Sequence, residues 1–336
     1  MNLGIIIYML GWIMKVEAVF MLLPVGTALI YRESIAWCYL GVAAFCGLLG
    51  WICSRKKPQS GEFFAKEGFV TVSLGWIVLS LFGCLPFLIS GEIPSFVDAM
   101  YEIVSGFTTT GASIVPQMEE LSKATLMWRS FSHWIGGMGV LVFILAVLPL
   151  AGDCNMHIMR AESPGPSVGK LVPKIRSTAK LLYTIYFVMT VVMILLLLLG
   201  KMPLFDSICM SFGAAGTGGF SCRNSGQVDY TAYQQMVIAV FMLLFGVNFN
   251  VYYLILDKRF KDVFRCEELR GYLAIVAVAV IAIMFNIRSM FPSLGRTFHE
   301  AFFQVSSVIT TTGYATADFD QWPEFSKCIV LLLMFI

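Results

Sequence analysis

Phe96-Val97-Asp98-Ala99-Met100-Tyr101-Glu102-Ile103-Val104-Ser105-Gly106-Phe107-Thr108-Thr109-Thr110-Gly111-Ala112-Ser113 lies between two apolar runs and has two counterparts further along the chain. The second counterpart opens Leu204-Phe205-Asp206 and closes Thr217-Gly218-Gly219-Phe220-Ser221. The third opens Phe298-His299-Glu300 and closes Thr310-Thr311-Thr312-Gly313-Tyr314-Ala315. In all three an acid precedes the aligned glycine by thirteen positions: Asp98 before Gly111, Asp206 before Gly219, Glu300 before Gly313. One offset met three times between flanking apolar runs implies a repeated unit. Plain turns account for one such loop but not for three in register.

Each unit reads as span, short re-entrant helix, glycine loop, span. From the acid to the threonines there are about ten residues, too few to cross a bilayer but enough to reach its centre. The acid is expected at the start of this helix, where a carboxylate suits the positive end of the dipole; the opposite end then turns its partial negative charge towards the midplane. Non-helical backbone at that depth is tolerated only when buried in protein or facing water. Facing a pore, the carbonyls of Thr109, Thr110 and Gly111, of Gly218 and Gly219, and of Thr311, Thr312 and Gly313 would replace the water shell of a cation. The glycines supply backbone conformations that a side chain disfavours.

Outward from these loops, composition agrees. Of 336 residues, 58% are hydrophobic and 13% charged, and the mean hydropathy is +0.80, against about 25% charged in ordinary globular chains. This describes an all-α integral membrane protein and disfavours a soluble enzyme, a nucleic-acid binder and a disulfide scaffold. Seven complete spans are predicted, near 3–30, 34–53, 69–90, 126–150, 181–200, 236–256 and 271–287. An eighth starts near Phe325, and its twelve residues to Ile336 cover only ~18 Å, so a fragment is expected. The first span lacks the basic start and small-residue cleavage pattern of a signal peptide.

The connections 54–68, 151–180 and 257–270 hold fourteen basic and eight acidic residues; the opposite connections hold six basic and twelve acidic. The positive-inside rule makes the first set and the amino terminus cytoplasmic. The acidic outer face would concentrate cations.

Other polar residues are read more plainly. Nine cysteines without a C-x-x-C pair, and three histidines (His133, His157, His299), give no metal-ligand spacing. The glycines after His133-Trp134 suit close helix packing, and packing is the reading for His133 too, with contact to an ion as its alternative. Asn248 and Asn250, inside the sixth span, either line a pore or bond across helices. Lys15 and Glu17 could pair or reach along the helix to an interface, but they are two apart, so a direct same-face pair is not expected. Arg129 and Lys327 are expected as interfacial anchors. The stretch from Arg160 to Lys170 reads as irregular, without the Walker spacing of a phosphate loop.

Thr108–Ala112, the stretch His133-Trp134-Ile135-Gly136-Gly137-Met138-Gly139, Gly218–Ser221 and Thr310–Ala315 together resemble the TrkH/TrkG/KtrB superfamily of potassium uptake proteins. The resemblance covers essentially the whole chain. It implies a two-helix leading segment (1–60), then helix/pore-loop/helix repeats around a pseudo-fourfold pore: 61–160, 161–262, and 263–336 with its last helix cut short. A fourth repeat, with its filter glycine, is absent. In that superfamily a glycine at the Gly111 position goes with potassium selectivity and a serine with sodium permeation. Further implications are a homodimer in a bacterial inner membrane, a cytoplasmic nucleotide-binding regulator similar to TrkA on the basic inner loops, and no cofactor, potassium being the transported ion.

The expected function is thus potassium translocation without covalent chemistry. Two alternatives stand beside it: a secondary cation symporter with a midplane site, which inverted rather than like-oriented repeats would favour, and a truncated, non-conducting remnant. An intramembrane enzyme is disfavoured because no catalytic His, Cys or Asp pairing is apparent.

Overall fold

The computed structural model describes residues 2–56, 65–139 and 175–335. The second half of the fourth expected span, and the inner-loop residues Cys154, His157, Arg160, Lys170 and Lys174, lie outside the described residues. Every regular element among the described residues is helical. The chain gathers into two compact units, Met1–Thr184 and Ile185–Ile336.

The first unit holds α1 (Leu3–Phe20), α2 (Leu22–Tyr31), α3 (Ala36–Ser54), α4 (Ala65–Gly83), α5 (Leu85–Ser90), α6 (Phe96–Phe107), α7 (Lys123–Met138) and the start of α8 (Ile175–Leu199). The first expected span is two helices meeting at Met21, which together run 29 residues. α1 packs along α3, and α6 packs on α4 and α7. The α1–α3 contact is backbone to backbone: a Cβ on Gly11 would meet the Gly50 carbonyl at 2.8 Å, and one on Gly50 would meet the Gly11 carbonyl at 2.7 Å. Between helices in lipid, such approach replaces the hydrophobic effect as the source of attraction. Glu17 is buried and accepts the Cys46 thiol at 3.7 Å, while Lys15 lies over the Trp12 ring, so the two charges of this span do not pair.

The chain end leading into α7 is capped from outside. Glu33 accepts the backbone N–H groups of Lys123 (2.7 Å) and Ala124 (3.1 Å), Glu92 accepts that of Ser122, and the Ser122 hydroxyl accepts that of Thr125. These satisfy donors that a helix start leaves without intrahelical partners.

The second unit continues with α9 (Leu204–Ala215), α10 (Ala232–Gly246), α11 (Phe249–Leu256), α12 (Phe260–Arg265), α13 (Glu267–Ile287), α14 (Leu294–Ile309) and α15 (Glu324–Leu333). Its core joins Val276, Val280 and Ile283 of α13 to Val305 and Val308 of α14 and Val330 and Leu333 of α15. The sixth expected span is not one straight helix: α10 and α11 meet at 88° across Val247 and Asn248. Asn248 makes the break possible by accepting the Asn250 N–H at 3.0 Å as N-cap of α11. The carbonyls freed at the end of α10 are also met, Leu244 by the Tyr252 hydroxyl (2.5 Å) and Leu243 by the Tyr272 hydroxyl (3.2 Å). Asn248 further donates to Glu268 of α13 at 3.1 Å.

Among the described residues five helical segments are long and apolar enough to cross a membrane, and six if the bent pair counts as one. The protein is a multi-pass membrane protein. Three helices are different in kind: α6, α9 and α14, of 12, 12 and 16 residues, each follow a span and each lead into one of the repeated loops.

Candidate functional site

The three loops share one backbone path. Thr109, Thr217 and Thr311 have φ of 55°, 50° and 57°, and Gly111, Gly219 and Gly313 have φ of 74°, 80° and 82°. Left-handed residues therefore recur at the glycine and two positions before it, in every copy. For β-branched threonine this conformation is a genuine outlier.

Local hydrogen bonding explains why the threonines adopt it. Each short helix ends in a Schellman motif with threonine where glycine is usual. The N–H groups of Thr109, Thr217 and Thr311 donate to the carbonyls of Gly106, Ala214 and Val308 at 3.1, 3.1 and 2.9 Å. Those of Thr110, Gly218 and Thr312 donate to Ser105, Gly213 and Ser307 at 3.0, 2.9 and 2.8 Å. In the first and third loops the flanking hydroxyls join as well: Thr108 with Thr110, and Thr310 with Thr312, both at 2.8 Å. The second loop has glycine at both of those places, Gly216 and Gly218, and reaches the same backbone without them. Strain held by surrounding structure is a hallmark of functional segments.

Neighbouring groups press on the loops. Tyr314 donates its hydroxyl to the Phe220 carbonyl at 2.9 Å, tying the third loop to the second. Gly136 of α7 lies against the Phe107 carbonyl at the end of α6, where a Cβ would overlap that oxygen. The glycine of the His133–Gly139 stretch thus serves packing, as expected, and His133 is fully buried beside it.

The acids at the starts of the short helices divide. Asp98 and Asp206 lie in the first turns of α6 and α9, as expected. Glu300 does not: Ser293 caps α14, accepting the Arg296 N–H at 3.2 Å, so the helix starts earlier and Glu300 falls in its second turn. Its carboxylate is buried, lies 2.6 Å from Arg296 and accepts the Thr316 hydroxyl at 2.5 Å. Asp206 accepts from Arg223 Nη2 at 2.6 Å and Nε at 3.2 Å, and from the Tyr230 hydroxyl at 3.4 Å. That carboxylate holds the Arg223 guanidinium more firmly protonated than usual, and burial pushes the Tyr230 phenol well above its ordinary value.

In the first repeat the buried acid is Glu102, one turn beyond Asp98. Glu102 accepts from Arg129 Nε at 2.7 Å, lies 2.5 Å from Arg129 Nη2, and accepts from the Ser113 hydroxyl (2.9 Å) and the Ile114 N–H (3.0 Å). Arg129 is 1% exposed. It is therefore no interfacial anchor: a guanidinium inside an apolar bundle needs a carboxylate beside it. An arginine within an apolar run is itself a signal of such a pair, but the partner, four residues past the matched acid, falls outside the thirteen-residue offset. Thr217 and Arg223 also escape the repeat pattern, which aligns glycines and carries no information on backbone angles or counter-charges.

Among the described residues no group of three His, Cys, Asp or Glu side chains is placed to hold a metal ion.

Comparison with known proteins agrees with this architecture. Residues 36–288 match the family described as "TrkH: Cation transport protein". The chain is 36% identical over 327 residues to the Trk system potassium uptake protein TrkH of Salmonella typhimurium, covering 94% of this chain and 67% of the relative. It is 32% identical over 342 residues to the Trk system potassium uptake protein TrkG of Escherichia coli, covering 99% and 70%. The crystal structure of the potassium transporter TrkH from Vibrio parahaemolyticus superposes with a TM-score of 0.85 at 30% identity, over 99% of this chain and 70% of that one. The chain belongs to the TrkH family of cation transport proteins.

Proposed function

We propose that this protein takes up potassium through a selectivity filter to which its three loops contribute backbone carbonyls at Thr109–Gly111, Thr217–Gly219 and Thr311–Gly313. The observation that carries the reading is the threefold recurrence of left-handed residues at the glycine and two places before it. Two different loop sequences, Thr-Thr-Thr-Gly at 108–111 and 310–313 and Gly-Thr-Gly-Gly at 216–219, held in one backbone path, each at the expense of a strained threonine, point to a job done by the main chain. Potassium is a large, weakly hydrated cation that backbone carbonyls can desolvate. The relatives named for potassium uptake support the ion assignment.

Finer features belong to the same proposal. The protein acts in a bacterial inner membrane with its amino terminus cytoplasmic, as a homodimer, with a nucleotide-binding subunit on the basic inner loops. The experiment is ion selectivity in proteoliposomes. Gly111→Ser is expected to lower potassium over sodium discrimination while flux persists; unchanged reversal potentials in mixed-ion gradients overturn the filter assignment.

A coupled symporter is the second reading, favoured by the 88° break between α10 and α11, since broken helices build carrier sites. Potassium uptake that follows an imposed proton or sodium gradient at zero potassium gradient supports it; indifference to those gradients removes it.

A further inference from the structure

Three carboxylates rise from the three short helices, and each meets one arginine: Glu102 with Arg129, Asp206 with Arg223, Glu300 with Arg296. The arginines come from different places. Arg129 is on the following span, Arg223 is in the loop after the glycine, and Arg296 is one turn earlier on the same helix. A copied motif would have kept the arginine at one offset, so the recurrence lies in the pairing itself and not in inheritance of position.

The pairs also share a target. Glu102 holds Ser113 and Ile114, two and three residues beyond Gly111. Arg223, held by Asp206, is four residues beyond Gly219. Glu300 holds Thr316, three residues beyond Gly313. Each carboxylate therefore fastens the segment that leaves the glycine to the helix that enters the threonine, closing the loop from behind. The first closure is the tightest: both Glu102 oxygens are engaged, and Arg129 Nη2 also donates to the Ser113 hydroxyl at 3.1 Å.

Resting on the filter reading above, we propose that these carboxylate–arginine pairs are positioning residues that set the ion discrimination of the loops, with Glu102–Arg129 the principal one. Their charges cancel locally, so they act by geometry and not by drawing cations. Carbonyls can discriminate ions of similar size only if their number and spacing at the ion are maintained, and main chain in a left-handed turn with nothing behind it would not stay there. A functional group held by a second layer loses selectivity when that layer is loosened.

A buried ion pair can also be merely structural, and breaking one partner leaves a costly unpaired charge. The decisive variant therefore removes both: Glu102→Gln with Arg129→Met, which leaves no buried charge. The whole protein is purified into proteoliposomes, and potassium over sodium permeability is read from reversal potentials. A folded, monodisperse double variant with discrimination lowered on the order of tenfold supports the proposal; wild-type discrimination overturns it. Should that variant fail to fold, Asp206→Asn with Arg223→Gln decides the matter by the same readout, because Arg223 is 38% exposed and its removal leaves no buried cation. Glu324→Gln with Lys327→Gln, an exposed pair on α15, is the control and leaves discrimination unchanged. Gly111→Ser is measured alongside. If it lowers discrimination and the pair variants do not, the positioning role falls and the filter stands; if Gly111→Ser leaves discrimination unchanged, the filter reading itself falls.

Discussion

Gly219 lies so close to the carbonyl oxygen of Thr312 that a Cβ built on it would overlap that atom. The second and third loops thus pass each other main chain against main chain, and the Tyr314 hydroxyl on the Phe220 carbonyl fastens them one residue further on. Two constraints fall on Gly219 at once, a φ of 80° and a missing side chain. Gly219→Ala is expected to abolish selective transport, with discrimination or flux lost by at least an order of magnitude. Flux measured in proteoliposomes at wild-type protein loading checks it; wild-type flux and selectivity would remove the main-chain contact from any functional role.

Tyr314→Phe tests the tie between the same two loops. It deletes one buried hydroxyl and leaves the Phe220 carbonyl without that donor, a loss of about 1–3 kcal/mol. The expected result is a lower melting temperature in detergent together with reduced discrimination. A stable, fully selective variant would show the tie to be incidental.

The threonine at the left-handed turn of the second loop invites the opposite substitution. Thr217→Gly relieves a conformation that costs a side-chain residue roughly 1–2 kcal/mol, against a roughly 0.4–1 kcal/mol entropic loss for added glycine. The variant should be at least as thermostable as the parent, whereas Thr217→Ile, larger and still β-branched, should be less so. Paired thermal melts decide between them; equal stability of both would contradict the left-handed assignment.

At the α1–α3 contact, Gly50→Val puts a branched Cβ 2.7 Å from the Gly11 carbonyl oxygen and 3.0 Å from the Lys15 backbone nitrogen. Overpacking of this kind costs ~1–3 kcal/mol or more, and the predicted outcome is poor yield of folded protein in detergent. Gly26→Ala, on α2 with open space around it, should be indistinguishable from the parent.

The break between α10 and α11 depends on groups that replace lost helix bonds. Tyr272→Phe strips the donor from the Leu243 carbonyl and is expected to cost about 1–3 kcal/mol. Asn248→Ala removes the cap and should cost about 1 kcal/mol. Spin labels on either side of the break report the angle: a shift towards a straight helix is expected for Asn248→Ala, and an unmoved distance distribution would mean the bend has another cause.

Much of this architecture is legible in the order of residues because it depends on chemistry that is local along the chain. Hydropathy locates the spans found among the described residues, since a run of apolar side chains needs no partner to be recognised as fit for lipid. Three acids and three glycines at one offset locate the loops, since that spacing is a property of one short helix and its exit. Neighbouring structure decides the rest. The bend at Asn248 is invisible to hydropathy, because its freed carbonyls are met by Tyr252 and Tyr272, which count as ordinary span residues. Glu300 falls in the second turn because Ser293 caps the helix ahead of the repeated stretch. Arg129 reads as an anchor as long as its counter-charge is hidden, and only folding sets it 2.5 Å from Glu102, 27 residues away. Charges in lipid are settled by what lies across from them, and that is decided by tertiary packing, whereas spans and turns are settled by the residues that compose them.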